Sequence, residues 1–168
     1  MSVHLAPYTD ADRPLTVALE TNPVVKRDLG GVLDAEEAER IHRERLERMG
    51  KGELFYTVRI GDDPEPVGIV AVFRTPFEGA EVNEIGIMIL PGRTGRGGRG
   101  VGMEALRRLA EHARAELGPT RLHGFTSVDN DVINLIGARL GWTNIGQADL
   151  DYEGRPMRCN HWILDLTP

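Results

Sequence analysis

The sequence predicts an α/β fold built on a mixed sheet, and three observations carry that reading. Strand-like runs at 54–60, 67–74 and 80–90 are joined by connections short enough to demand antiparallel hairpins. An amphipathic helical pattern then separates the third run from another strand at 122–128, and a helical crossover joins parallel strands. Two last runs, 142–152 and 155–166, form a hairpin around Glu153-Gly154.

The elements follow in order from local chemistry. Val3 to Tyr8 reads as a short first strand, and Thr9 or Asp10 caps a helix running to about Glu20, where Asn22-Pro23 breaks the chain. Asp34 with Glu37 three residues later forms a capping box. Ala38, Ile41, His42, Leu46 and Met49 then share one helical face, and Gly50 or Gly52 ends that helix. Leu54 to Ile60 is rich in aromatic and β-branched residues. Gly61 to Pro64 turns the chain into Val67 to Arg74, and Pro76 to Gly79 turns it into Ala80 to Leu90. After residue 100, Ala105, Leu106, Leu109, Ala110, Ala113 and Leu117 line one helix face, with Glu104 and Arg108 at i,i+4 on the other. Gly118-Pro119 stops it. Leu122 to Val128 is the next strand, and Asp129 or Asn130 caps a helix carrying Ile133, Ile136 and Leu140 that Gly141 ends.

Length and composition bound the function. A chain of 168 residues without repeats or a linker reads as a single domain, 1–168. At 40% apolar and 27% charged residues it is globular. A net charge of −6 argues against a broad nucleic-acid surface, and no apolar run reaches the length of a membrane span. One cysteine, Cys159, and no export signal point to the cytoplasm. His4, His42, His112 and His123 form no metal-ligand spacing with Cys159 or a carboxylate pair, so no metal site is expected.

The most informative stretch lies between Pro91 and Gly102, with six glycines and three arginines between a strand and a helix start. Glycines let backbone N–H groups approach a ligand, the helix start supplies orphan donors and a positive dipole end, and arginines add charge. This is the composition of a phosphate cradle. Gly95 to Gly100 spells a literal G-x-G-x-x-G, so a dinucleotide-binding oxidoreductase has to be considered. Against it, roughly eighty residues and a three-strand meander precede the motif, and only one crossover follows. A P-loop would need a lysine that the stretch lacks.

Four motifs in order resemble the GNAT superfamily of N-acetyltransferases, with the RimJ/RimL-like ribosomal-protein acetyltransferases as the nearest subgroup. They are Glu84-Ile85-Gly86 to Pro91; Gly98-Arg99-Gly100-Val101-Gly102-Met103-Glu104-Ala105; Asn130; and Leu140-Gly141-Trp142. The resemblance covers residues 53–166 well and the N-terminal helices loosely. It implies a mostly antiparallel mixed sheet whose central parallel pair splays to hold acetyl-CoA, with residues 1–50 shaping the acceptor side. It further implies that Met88, Ile89 and Leu90 offer a strand edge to the cofactor arm. Arg96, Gly97, Gly98, Arg99, Gly100, Val101 and Gly102 would form the pyrophosphate turn, and Asn130 would contact the arm near the thiol. The Ile89 N–H would polarise the thioester carbonyl.

The implied reaction is direct attack of a primary amine on the acetyl-CoA thioester, which requires a base. Glu84 is the first candidate, with Asn83 and Glu81 nearby. Many relatives carry a tyrosine four residues before the glycine of the L-G-F motif as the acid; here that position is Gly137, which would open space beside the thioester. Tyr152, His161 or water would then protonate the thiolate. Asp149, Asp151, Glu153 and Asp165 would suit a cationic small-molecule amine, and a protein N-terminus is the other acceptor class. The last strands could also pair as a homodimer. A non-catalytic acyl-CoA-binding regulatory module is the rival reading that Gly137 raises.

Overall fold

The computed structural model describes residues 2–93, 100–152 and 154–167. Its elements are β1 (Val3–Pro7), a 3-10 turn (Asp10–Asp12), α1 (Arg13–Glu20), α2 (Pro23–Lys26), α3 (Ala35–Gly50), β2 (Leu54–Ile60), β3 (Gly68–Phe77), β4 (Ala80–Ile89), α4 (Val101–Leu117), β5 (Thr120–Ser127), α5 (Asp131–Arg139), β6 (Thr143–Tyr152) and β7 (Arg155–Leu166). The strands form one sheet in the order β1-β2-β3-β4-β5-β7-β6, antiparallel everywhere except β4 against β5. One helical crossover in a mostly antiparallel sheet is the expected mixed architecture, and it is not the doubly wound parallel sheet that the dinucleotide reading required.

Strand alternation sends side chains to two cores. Val70 and Val72 of β3, with Val58 and Ile85, Ile87 and Ile89, pack under Val101, Ala105, Leu109 and Ala113 of α4. Ile69, Ala71 and Phe73 of the same strand, with Phe55, Met88 and Leu90, pack against Leu15 and Leu19 of α1 and Leu46 and Met49 of α3. The apolar face read from the α4 sequence is therefore buried, while Arg108 Nε donates to Glu104 Oε1 at 2.8 Å on its outer side.

Local signals hold with two revisions. The Asp34–Glu37 capping box forms, with the Glu37 amide donating to Asp34 Oδ1 at 2.8 Å and the Asp34 amide to Glu37 Oε2 at 2.9 Å. Glu78 and Gly79, at φ 47° and 78°, make the tight β3–β4 turn, so β3 runs on to Phe77 beyond the expected Arg74. Asn22-Pro23, expected to break the chain, starts α2 instead: Asn22 Oδ1 accepts from the Val24 and Val25 amides at 2.9 and 3.2 Å, and Pro23 sits at the first helical position.

Beneath α1–α3 runs a buried polar chain. Glu20 accepts from Lys26 Nζ and from Arg45 Nη2, each at 2.8 Å. Arg45 Nη1 donates to Thr16 Oγ1 at 2.7 Å, Thr16 Oγ1 is hydrogen-bonded to the Tyr8 hydroxyl at 2.6 Å, and Tyr8 meets His42 Nδ1. The outer nitrogen of His42 is 3.0 Å from the exposed Asp10 carboxylate. Burial pushes the Tyr8 phenol above its ordinary pKa. This chain, rather than apolar contact alone, fixes α2 and α3 against α1.

Leu109 is fully buried in the α4 core. Leu109→Ala should cost about 2–5 kcal/mol, read as a lower urea midpoint at unchanged slope.

Candidate active site

The parallel pairing of β4 and β5 is only two residues long, Asn83↔Leu122 and Glu84↔His123. β4 continues beside β3 as far as Ile89, so beyond Glu84 it has a partner on one side only. A cleft of about 940 Å³ opens at this gap. Its lining includes Ile85 to Leu90, the first turn of α4, Gly124 to Ser127 and much of α5, together with Val24 to Leu29, Arg45, Phe73 and Tyr152. A second concavity, about 550 Å³, lies between the β3–β4 turn and β6 and is lined in part by Glu78, Asp149 and Arg158.

Strand parity decides which backbone groups face the gap. The Leu90 amide donates to Val67 O at 2.8 Å, toward β3. Alternation commits Met88 to the same side, so Ile87 and Ile89 turn their N–H and C=O groups to the gap. Of the three residues offered from sequence as a free edge, only Ile89 has that orientation, and Ile87 joins it. At the end of the gap, Gly100 caps α4 at φ 106°, a left-handed conformation that disfavours side chains. The Glu104 amide makes an intrahelical bond, to Gly100 O at 2.8 Å. The Val101, Gly102 and Met103 amides precede it and belong to the orphan donors of a helix start. Arg96, Gly97, Gly98 and Arg99 lie outside the described residues. Asn130 lines the cleft, but its Oδ1 accepts from the Ile133 amide at 3.3 Å as the cap of α5. Orphan amides at a helix start, beside an open strand edge, are the donor set that a diphosphate with an amide-bearing arm requires.

Glu84 closes the other end of the gap. It is 5% exposed. Its Oε2 accepts from Thr75 Oγ1 at 2.6 Å and its Oε1 from the Tyr152 hydroxyl at 3.1 Å. Burial raises its pKa above the ordinary carboxylate value, and the Thr75 and Tyr152 hydrogen bonds and the Arg48 charge offset part of that rise. The two residues that sequence nominated for proton transfer, 68 positions apart, are thus in direct contact.

Other nominated groups are occupied elsewhere. Asn83 donates to Thr120 Oγ1 at 3.0 Å, and the exposed Glu81 lies 3.6 Å from Arg74. His161 shares a 2.8 Å hydrogen bond with His123, and burial lowers both pKa values. Asp149 pairs with Arg158 at 2.8 Å and Asp165 with Arg121 at 2.7 Å; Asp151 accepts from the Gly154 amide at 2.7 Å. Those three carboxylates are not among the lining of the cleft, and Glu153 lies outside the described residues. Among the described residues no group of three or more His, Cys, Asp and Glu is arranged to hold a metal ion. Cys159 is fully buried, and burial first, then the Glu84 and Asp149 charges, push its thiol up to about 11.

Two residues of the site escaped sequence reading. Gly137 does not open space: a Cβ there would lie 3.2 Å from the Trp162 ring, so the indole already fills the volume. Trp162 lines the cleft, and its Nε1–H donates to Thr126 Oγ1 at 3.1 Å and Asn134 Oδ1 at 3.0 Å. Asn134 also donates to Ser127 O and Asn130 O, both at 2.9 Å, tying α5 to β5. The signal that could have pointed to Trp162 was Gly137 itself, since a glycine on a helix face leaves room that a large neighbour can fill.

Comparison with known proteins agrees with this geometry. A family model described as an acetyltransferase (GNAT) domain matches residues 2–143. No curated protein sequence matches significantly. Among solved structures, an acetyltransferase from Agrobacterium tumefaciens superposes with a TM-score of 0.75 at 21% identity, over 96% of this chain and 90% of that one. A spermidine N-acetyltransferase from Vibrio cholerae, in complex with CoA and spermine, gives 0.77 at 14% identity, over 98% and 95%. An acetyltransferase from Salmonella typhimurium that modifies the N-terminal serine of ribosomal protein L7/L12 gives 0.76 at 16%, over 98% and 95%. At these identities the likeness is one of fold.

The Gly137–Trp162 contact is testable. Gly137→Tyr should displace the pinned indole and cost about 1–3 kcal/mol despite the helix propensity gained. A red-shifted tryptophan emission and a lower thermal midpoint would register it, whereas unchanged emission would show that the volume is free.

Proposed function

The chain belongs to the acetyltransferase (GNAT) domain family, and from that premise we propose that it moves the acetyl group of acetyl-CoA to a primary amine by direct attack on the thioester. One observation carries the reading in this chain. The two-residue β4–β5 pairing places an open strand edge, a helix start and a buried carboxylate along a single cleft. Ile87 and Ile89 would pair with the amides of the cofactor arm, and the Gly100 to Met103 amides would hold the pyrophosphate.

The described side chains then divide the proton work. Glu84 takes the proton that the amine must lose, and its raised pKa brings it nearer to working pH than an exposed glutamate. As the N–C bond forms and the C–S bond breaks, the Tyr152 O–H returns a proton to the departing sulfur and is replenished from Glu84 along their shared hydrogen bond. Thr75 holds the far carboxylate oxygen, so that Oε1 faces Tyr152. The amine proton thereby ends on the thiol, and both residues return to their starting states.

For the acceptor, the lining of the cleft includes Lys26, Arg45, Phe73 and Leu29. Both cations are buried and paired with Glu20, so this wall offers an acceptor little net charge. We read the acceptor as a small-molecule amine or a protein N-terminus, and the fold likeness to an enzyme that modifies an N-terminal serine supports the latter. A cytoplasmic location suits a fold with a buried free thiol.

Glu84→Gln should lower kcat by roughly 100-fold or more while calorimetric acetyl-CoA affinity is unchanged. The acid limb of the wild-type kcat profile should sit above the ordinary glutamate value, because protonating this base stops transfer. Tight acetyl-CoA binding with no turnover on amines, peptides or ribosomal-protein N-termini would favour a regulatory acyl-CoA-binding module instead.

A further inference from the structure

Tyr152 is the last residue of β6, at the outer edge of the sheet, yet its hydroxyl must be held over Glu84. The chain between α2 and α3 comes up against it. Gly30 and Gly31 are both left-handed, at φ 86° and 91°. A Cβ on Gly30 would lie 2.9 Å from Tyr152 O and 3.3 Å from Tyr152 Cβ, and one on Gly31 would collide with the Arg155 guanidinium. The two glycines thus face the two strands of the β6–β7 hairpin at its tip. The turn is itself anchored: the Leu29 and Gly31 amides donate to Lys26 O at 3.1 and 3.0 Å, and the Leu33 amide to Glu20 O at 2.9 Å. Those acceptors belong to the two residues at the heart of the buried Glu20–Lys26–Arg45 cluster.

We propose that the Gly30–Gly31 turn is a positioning element that seats Tyr152 against Glu84, so that the buried ionic cluster under α1–α3 sets the geometry of the proton-transfer pair. The proposal rests on the acetyltransferase reading for its kinetic consequence and on the contacts alone for its geometry. Glycine is required twice at this point, once for the left-handed backbone and once for the approach of Tyr152. Among the described residues, the groups that face Glu84 include Thr75 from β3, Arg48 from α3, Tyr152 from β6 and Cys159 from β7, with His123 its register partner on β5. Tyr152 lies against Gly30, so a displaced turn reaches Glu84 through the Tyr152 hydrogen bond.

The test compares Gly30→Ala and Gly30→Asn with Gly61→Ala, a control that is also left-handed, at φ 58°, but has nothing within 4 Å of its Cβ. Asn tolerates the left-handed backbone, so Gly30→Asn isolates the clash from the strain. The primary readout is the titration midpoint of the Glu84 carboxyl by carbon-13 NMR, which needs no turnover. Losing the Tyr152 donor removes a stabiliser of the carboxylate, so the midpoint should rise in both Gly30 variants as it does in Tyr152→Phe, and the Gly30→Ala/Tyr152→Phe double variant should rise no further. The acid limb of kcat should move up with it, with kcat down roughly tenfold and KM for acetyl-CoA unchanged. Gly61→Ala should lose thermal stability without either change. An unmoved midpoint in the Gly30 variants, alongside a shifted one in Tyr152→Phe, overturns the seat and leaves the chemistry standing. A shifted midpoint with undiminished kcat in every variant keeps the seat and removes the chemical role of Tyr152. If Tyr152→Phe itself leaves the midpoint unmoved, both fall.

Discussion

The rest of the structure depends on a hydrogen-bond ladder that stops early. β4 and β5 pair over Asn83 and Glu84 and then part, although β4 continues for several residues beside β3. Backbone N–H and C=O groups left without partners are costly in a dry interior, so a gap of this kind is tolerable only where water or a ligand reaches it. The gap therefore dictates a cleft. The glycine-capped α4 ends that cleft with further unpaired donors, and Glu84 occupies its closed end because it is the last residue with strands on both sides. Its burial, and hence its raised pKa, follows from the same place in the ladder that creates the opening.

The fold was largely legible in the sequence because its signals are short-range. The Asp34–Glu37 box, the turn residues and the face of α4 are all decided within a few residues of one another, and the parallel pair follows from the crossover. α2 was missed for a local reason: Asn22-Pro23 reads as a break, yet the same pair is a good cap and first residue for a helix of one turn. The site was legible only in part. Glu84 could be named from its strand and Tyr152 from its hairpin, but their contact depends on how β6 lies across the sheet. Met88 and Leu90 were assigned to the free edge because parity along β4 is set by its register with β3, which no residue type announces. The hairpin carboxylates pointed to a cationic acceptor by charge alone, and two of them prove to be paired with arginines at the surface.

The wall that α1 to α3 give the cleft owes its shape to ionic contacts. Lys26, Glu20 and Arg45 are each nearly inaccessible, and removing one partner of such a set costs about 3–5 kcal/mol because the others are left charged and buried. Such a cluster contributes little net stability over an apolar core of the same volume, but it admits few alternative packings. It fixes where α2 ends and where the following turn can run, which an apolar contact between short helices would leave loose.

Cys159 has a consequence of another kind. The chain's only cysteine lies on β7 with no exposed surface, and its thiol, at about 11, is almost entirely protonated at neutral pH. Alkylating and disulfide-forming reagents act on the thiolate, so the native chain behaves toward them as though it had no cysteine. A single cysteine introduced on an exposed surface would carry the only reactive sulfur, and a fluorophore or spin label placed there would report from one site without any background substitution in the fold.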